Sequence, residues 1–184
     1  KMAASELDLM GGITVEVADT INPADSIRTQ NPLGKIPCLI LDDGLALYDS
    51  RVILEYLDHL AGGGRLIPAE PLARIAALKL QALGDGICDA ALLRIYEMRF
   101  RPEEKRSAEW DAHQAGKVER GLAHLEAHLP ADVTDIGTIA VAAALGYLDL
   151  RFQGAWRAAH PGLVAWLDRF AARVPSFEAT RVVP

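Results

Sequence analysis

Two pairs of neighbouring residues combine reactive or binding chemistry with a position that could use it. Ile36-Pro37 opens one apolar run, and Asp49-Ser50 closes the next, just before a helical pattern. X-Pro bonds are the only peptide bonds that go cis with any frequency, and a cis bond turns the preceding residue's backbone sharply. That would leave the N–H and C=O of Ile36 open to an extended peptide, as at a sheet edge. Asp49-Ser50 would begin a helix, where free N–H groups and the positive end of the dipole attract a carboxylate and the Ser hydroxyl adds a donor. The Asp carboxylate beside them suits an ammonium, so the second pair matches the zwitterionic end of an amino acid. Both pairs also have plainer descriptions: a trans proline that starts an edge strand, and an ordinary N-cap.

The elements that must position these residues follow from the punctuation around them. Asn31-Pro32 and Gly34 mark a loop. Pro37 opens a strand over Cys38–Leu41, and Asp43-Gly44 is a hairpin signal before a second strand, Leu45–Tyr48. Beyond Ser50, the apolar positions Ile53, Leu57 and Leu60, with Val52 and Tyr56, mark one face of a helix that Gly62-Gly63-Gly64 stops. Upstream, Lys1–Met10 reads as a helix ended by Gly11-Gly12, and Ile13–Val17 reads as a strand by its β-branched alternation. Asn22-Pro23-Ala24-Asp25 begins a short, polar, irregular helix that runs up to the Asn31 turn.

Past Pro68 and Pro71 no strand pattern recurs, and the composition shifts to alanine- and leucine-rich helices. This sets a boundary near residue 70 and two domains, 1–68 and 72–184, the second a helical bundle. Leu72–Arg101 is apolar nearly all round at its centre and should be a buried helix. Gly84 and Gly86 each cost about 1 kcal/mol there relative to Ala, which points to close approach by another helix or a neighbouring subunit. Trp110, Val118, Leu122, Leu125 and Leu129 follow one helical face. Asp135 reads as an N-cap, with Thr138 three residues on. After His160-Pro161-Gly162, the positions Leu163, Trp166, Leu167 and Phe170 form the core face of a last helix.

Composition narrows the function classes. With 184 residues, 51% of them apolar, the chain can bury a substantial core. A net charge of −6 argues against a nucleic-acid backbone or an anionic membrane surface as partner. The longest uncharged run, Ile136–Leu148, is too short to span a bilayer, and no signal peptide is visible at the start. Cys38 and Cys88 lie far apart, each in an apolar run, and read as reduced, buried thiols of a cytoplasmic protein. They are too few for an all-thiolate zinc site. His124 and His128 have metal-ligand spacing, but no third ligand is evident and the His-Glu-x-x-His order is absent, so solvated helix surface is the better description. Arg94, Arg99, Arg101, Lys105 and Arg106 form a basic stretch that would draw an anionic substrate or simply face solvent.

In order and spacing, Asn31-Pro32-Leu33-Gly34-Lys35-Ile36-Pro37, the hairpin, and Asp49-Ser50 before Arg51–Leu57 resemble the glutathione-binding half of the bacterial, cytosolic glutathione S-transferases. The resemblance continues through Arg65-Leu66-Ile67-Pro68, Gly146–Phe152 and Val174-Pro175-Ser176-Phe177, so it covers nearly the whole chain. It implies a thioredoxin-like α/β N-terminal domain followed by an all-α helical bundle, as a homodimer. It also implies a reaction in which the thiolate of glutathione, bound as co-substrate, attacks a small hydrophobic electrophile. On this resemblance Ile36 pairs through its backbone with the cysteinyl unit and Pro37 is cis and structural. Asp49 holds the γ-glutamyl amine, Ser50 its carboxylate, and Lys35 meets the glycyl carboxylate. Tyr96 and Arg99, one helical step apart, fall where the family's helix end lines the electrophile pocket. The family's catalytic Ser, Tyr or Cys sits in a loop after a first strand, roughly 15 residues in all, and is expected N-terminal to Lys1. The family more often has Ser or Thr at the cap and Asp third, so Asp135 and Thr138 are swapped. Two alternatives remain: a glutathione-dependent isomerase, dehalogenase or peroxidase on the same scaffold, and a transferase-like binding or assembly module without turnover.

Overall fold

The Asp43-Gly44 turn closes an antiparallel pair, β1 (Leu39–Ile40) and β2 (Ala46–Leu47), with Leu39 opposite Leu47 and Ile40 opposite Ala46. Gly44 has φ 87°, a conformation that an L side chain resists. The Asp43 carboxylate accepts the Leu45 N–H at 2.9 Å. The computed structural model describes residues 1–182, leaving Val183 and Pro184 of the expected helical domain outside the described residues, and divides into one unit over Ala3–Ile67 and another from Pro68 onward.

In the first unit the ladder is shorter than the apolar runs imply, two residues a side. Ile13–Val17 is not a strand: Ile13 is extended, yet no described residue pairs with the segment, and Val17 is 100% exposed. β-Branched alternation prepares a strand, but only a hydrogen-bonded neighbour makes one. α1 (Met2–Glu6) also stops short of Met10, because Asp8 turns left-handed at φ 62° and Met10–Gly12 winds into a single 3-10 turn. Arg65 closes that helix end, donating to the Leu7 and Glu6 carbonyls at 3.2 and 2.9 Å and meeting Asp8 at 3.1 Å. A cation there satisfies carbonyls that the last turn leaves orphaned. α2 (Ile27–Gln30) is one turn.

α3 (Ser50–Leu60) buries Leu57, half-buries Ile53 and Tyr56, and leaves Val52 and Leu60 exposed, so its apolar face is narrower than the sequence pattern. Its most telling buried residue is Asp58. That carboxylate accepts the N–H groups of Gly64, Arg65 and Leu66 at 2.8, 3.1 and 2.6 Å and gathers in the chain after the glycine turn.

The second unit is all helix: α4 (Pro71–Phe100), α5 (Ala108–Ala127), α6 (Ile136–Phe152), α7 (Pro161–Arg173) and α8 (Ser176–Ala179). α4 starts with Glu70 capping two N–H groups and Pro71 in the first turn, where its missing donor costs nothing. Ala77, Gln81, Gly84, Ile87, Ala91 and Ile95 are buried, while Leu72, Ile75, Leu93 and Met98 are exposed, so α4 is sunk on one side and not all round. A Cβ at Gly84 would come within 2.7 Å of the Ala140 carbonyl carbon, which confirms a close approach by α6; Gly86 has open space around it and marks none. α6 runs through the middle, with Ile136–Ala142, Ala144, Leu145 and Leu148 buried. Asp135 and Thr138 cap it reciprocally, at 2.8 and 3.0 Å. Leu163, Trp166, Leu167 and Phe170 of α7 are all buried. On α5, Val118, Leu122 and Leu125 are buried, but Trp110 in its first turn and Leu129, two residues past its end, are each 43% exposed, because both lie outside its packed stretch. Among the described residues no helix is long and apolar enough to cross a membrane.

One contact between helices replaces a local cap. The N-terminus of α7 has no side-chain cap of its own; instead Glu126 of α5 accepts the Gly162 and Leu163 N–H groups, both at 2.8 Å. A Cβ at Gly162 would come within 2.7 Å of that carboxylate, so glycine is what lets it approach. Replacing Glu126 with alanine leaves two N–H donors unmet and should lower the stability of the helical unit by about 1–3 kcal/mol, read as a lower urea midpoint with unchanged slope.

Candidate functional site

The loop ahead of β1 is held from inside. Asn31, 2% exposed, donates from Nδ2 to the Lys35 carbonyl at 2.8 Å and accepts the Leu33 N–H on Oδ1 at 3.0 Å. The Gly34 N–H donates to the Asn31 carbonyl at 2.7 Å. The sequence marks Asn31 only as a turn residue; that its side chain turns inward and bonds both ways is a property of the folded loop. The result presents Lys35, Ile36 and Pro37 at the surface. The Ile36-Pro37 bond is cis, and among the described residues neither the N–H nor the C=O of Ile36 is hydrogen-bonded. An exposed main-chain donor and acceptor of this kind is what an added extended peptide pairs with.

The hairpin then brings that loop to a helix start. The ladder ends at Leu39 opposite Leu47, two residues after Pro37 and two before Asp49, so the loop and the start of α3 both leave the hairpin at its open end. Asp49 is exposed and is the N-cap of α3, accepting the Arg51 N–H at 3.0 Å. Ser50 is half-buried and opens the helix. The Tyr48-Asp49 bond is also cis, a feature that no residue type in the sequence signals. At this end of the hairpin, therefore, are an open amide and carbonyl, a carboxylate, a hydroxyl at a helix N-terminus, and the exposed Lys35. Such a set accepts an extended peptide with a zwitterionic end.

In the helical unit, Tyr96 and Arg99 lie exposed in the last turns of α4. The Arg99 guanidinium is 6.0 Å from the Tyr96 ring centroid, and Tyr96 meets Phe100 edge-on at 5.1 Å. Three other members of the basic stretch have partners. Arg94 is bidentate to Asp111 at 2.9 and 3.1 Å, Arg101 pairs with Glu97 at 3.2 Å, and Arg106 donates to the Arg101 and Met98 carbonyls, both at 3.1 Å. These arginines tie the α4–α5 connection together. His124 and His128 are exposed, their rings stacked 4.7 Å apart. Among the described residues no group of three or more His, Cys, Asp or Glu could hold a metal ion.

Both thiols are free but only half-buried, a correction to their expected full burial, since each lies at the margin of its apolar run's packing. Burial pushes the Cys38 thiol up. It pushes Cys88 up to about 12, with the carboxylates of Asp85 and Asp89 adding to the effect. A thiol that stays protonated at neutral pH is a poor nucleophile.

Residues 2–60 match the family described as Glutathione S-transferase, N-terminal domain. The chain is 33% identical over 177 residues to the uncharacterized GST-like protein YibF of Escherichia coli K12, covering 92% of this chain and 87% of that protein. A crystal structure of a glutathione transferase family member from Pseudomonas fluorescens Pf-5, with bound glutathione, aligns with a TM-score of 0.92 at 42% identity, over 100% of this chain and 92% of that one. A structure of a family member from the same organism with bound S-(propanoic acid)-glutathione gives 0.87 at 43% identity, with the same coverage. The fold is accordingly a thioredoxin-like α/β domain followed by an all-α bundle.

The raised thiols have a direct chemical readout. In the folded protein at neutral pH, iodoacetamide should leave Cys88 unmodified, while denaturant returns it to the ordinary thiol pKa of about 8.5 and makes it reactive. Raising the pH on folded protein should bring in Cys38 before Cys88, as followed by peptide mass mapping.

Proposed function

Because this chain belongs to the glutathione S-transferase family, we propose that it binds glutathione and conjugates the glutathione thiolate to a small hydrophobic electrophile. The observation that carries this reading is an open Ile36 main chain at the same end of the hairpin as Asp49-Ser50, which start α3. Glutathione is an extended tripeptide with a γ-glutamyl zwitterion at one end and a glycyl carboxylate at the other. The Ile36 N–H and C=O pair with the cysteinyl unit, and Pro37 shapes the turn that exposes them. Asp49 takes the ammonium, Ser50 and the first N–H groups of α3 take the γ-glutamyl carboxylate, and Lys35 takes the glycyl carboxylate. The bound structures of the Pseudomonas fluorescens relatives support this choice of ligand.

Gripping the peptide by its main chain and both charged ends leaves the cysteinyl sulfur as the group free to react. The thiol gives up its proton, which passes to solvent; the sulfur then forms a bond to the electrophilic carbon, and the leaving group departs with its bonding pair. Orientation alone gives such a step a large advantage over the reaction in solution. Tyr96 and Arg99 are the residues proposed to meet the electrophile, one with an apolar ring face and the other with donors for charge gathering on the leaving group. The proposal includes a 1–68 glutathione-binding domain, a 72–184 helical domain, a cytoplasmic setting and a homodimer. The exposed Leu72 and Ile75 on α4 are apolar surface that a dimer would cover.

Asp49 both caps a helix and is assigned to a ligand, and one substitution separates the two roles. Asn is as good a cap as Asp, so Asp49→Asn should keep α3 intact while weakening glutathione binding by about 1–3 kcal/mol, the range for a charged hydrogen bond. Ser50→Ala should fall in the same range, and Ile36→Ala should change little because its main chain does the pairing. Calorimetry, together with a conjugation assay on a generic aryl halide, reads all three. Unchanged affinity for Asp49→Asn and Ser50→Ala would leave these residues as helix caps only.

A further inference from the structure

α4 and α6 lie side by side and run the same way: Ala77 stands against Gly137, Gly84 against Ala140, and Arg94 against the Phe152 ring at 4.9 Å. At 3.6 residues per turn, Cys88 and Arg99 fall on the flank of α4 away from Arg94, with Tyr96 beside them. On α6 the same spacing puts Tyr147 and Arg151 on the flank away from Phe152. The two flanks form one side of the helix contact. Burial pushes the Tyr147 hydroxyl up, Arg151 pulls against that, and Cys88 and Tyr96 are near enough to push it further up. The Arg151 guanidinium is 5.9 Å from the Tyr147 ring centroid, as that of Arg99 is 6.0 Å from the Tyr96 centroid. Two tyrosine rings, each beside an arginine, thus share one strip of the helical unit.

The arginines of this strip differ from their neighbours in what holds them. Arg94, Arg101, Arg157 and Arg169 each pair with a carboxylate, at 2.9, 3.2, 2.6 and 3.1 Å. Among the described residues neither Arg99 nor Arg151 meets one, and both are exposed. The acids closest to them in sequence are already engaged, Glu97 by Arg101 and Asp149 by Arg157. Asp85 and Asp89 act on Cys88 lower on α4; Asp89 is ten residues before Arg99, about 15 Å along the helix. The strip is therefore positive at the end where both helices finish. A guanidinium matches a carboxylate in plane and also stacks on ring faces. One exposed cation would specify little, but two of them with two aromatic faces define both parts of a ligand, a ring and an anionic group.

We infer, resting on the glutathione-transfer reading above, that the electrophile is an aromatic carboxylate: its ring packs on Tyr96 and Tyr147, and Arg99 and Arg151 share its carboxylate. The carboxylate is held and takes no part in the bond change. The glutathione sulfur displaces a leaving group on the ring, which departs with its bonding pair, and the thiol proton passes to solvent. The test uses the full chain and two substrates, 4-chloro-3,5-dinitrobenzoate and its methyl ester, each rate divided by the uncatalysed rate with glutathione. The kcat/KM should favour the acid by at least about tenfold. Arg99→Gln and Arg151→Gln should each bring the acid-to-ester ratio toward one, mainly through KM, and Arg151→Lys should restore part of it. Binding without turnover is read by NMR with 3,5-dinitrobenzoate and 3,5-dinitrobenzamide, which carry no chloride to displace. The acid should bind at least about tenfold more tightly than the amide, and Arg151→Gln should remove the difference. A substrate ratio near one, equal binding of the two unreactive probes, or preferences that survive both glutamine substitutions would overturn the proposal. Calorimetry with glutathione keeps the two readings apart: failure of glutathione to bind would sink the transfer reading, whereas the unreactive pair decides the anion site by itself.

Discussion

The candidate site depends on one short piece of pairing. β1 and β2 share two residues each, yet their pairing is what brings the loop carrying Lys35, Ile36 and Pro37 to the same end of the hairpin as the residues that start α3. Side chains alternate faces along a strand, so a slip of a single residue would turn every side chain of β2 to the other face and shift the start of α3 relative to that loop. Register in a ladder this short cannot come from many cross-strand contacts. It comes from the turn: Gly44 in a conformation other residues resist, Asp43 bonded to the Leu45 N–H, and the Leu41 N–H bonded back to Leu45.

What could be read in the sequence was what local chemistry dictates. Asp43-Gly44, the Asp49 cap, the Asp135–Thr138 cap and the periodic core face of α7 each depend on residues within a few positions of one another, and all four are present. Features that need a distant partner were not legible. Ile13–Val17 has the pattern of a strand and no ladder, and the centre of α4 has the composition of a buried helix while one side faces out. Gly84 and Gly86 look alike in sequence, but only one faces Ala140. In the candidate site, the residue types at Lys35, Ile36, Asp49 and Ser50 were readable because turn and cap chemistry is local. The inward side chain of Asn31 was not, because its partners, the Leu33 amide and the Lys35 carbonyl, meet it only in the folded loop.

Three buried or half-buried carboxylates show a shared way of fixing geometry in this chain. Asp58 collects three backbone N–H groups, Glu126 collects two from another helix, and Asp149 collects an indole and a guanidinium. Taking a carboxylate out of water is expensive unless its oxygens are fully engaged. Each of these acids is engaged by donors that would otherwise go unmet where a helix begins or a turn leaves it. Apolar packing holds helices together but tolerates sliding, whereas a bonded carboxylate has a preferred direction and distance. Asp58 thereby sets the exit from α3, and Asp149 ties the turn after α6 back to that helix.

The thiols of the chain bear on the proposed chemistry from the other side. An enzyme that activates a bound thiol for attack on electrophiles must not offer its own sulfurs to the same reagents. Cys38 lies next to Pro37, and Cys88 lies on α4, the helix that also carries Tyr96 and Arg99. Burial raises both, and at Cys88 two neighbouring carboxylates push the same way, so neither is a thiolate at neutral pH. At Cys88 the carboxylates of Asp85 and Asp89 oppose a sulfur anion in addition to burial. The scaffold thus keeps its own sulfurs protonated at neutral pH and out of competition with a bound thiol.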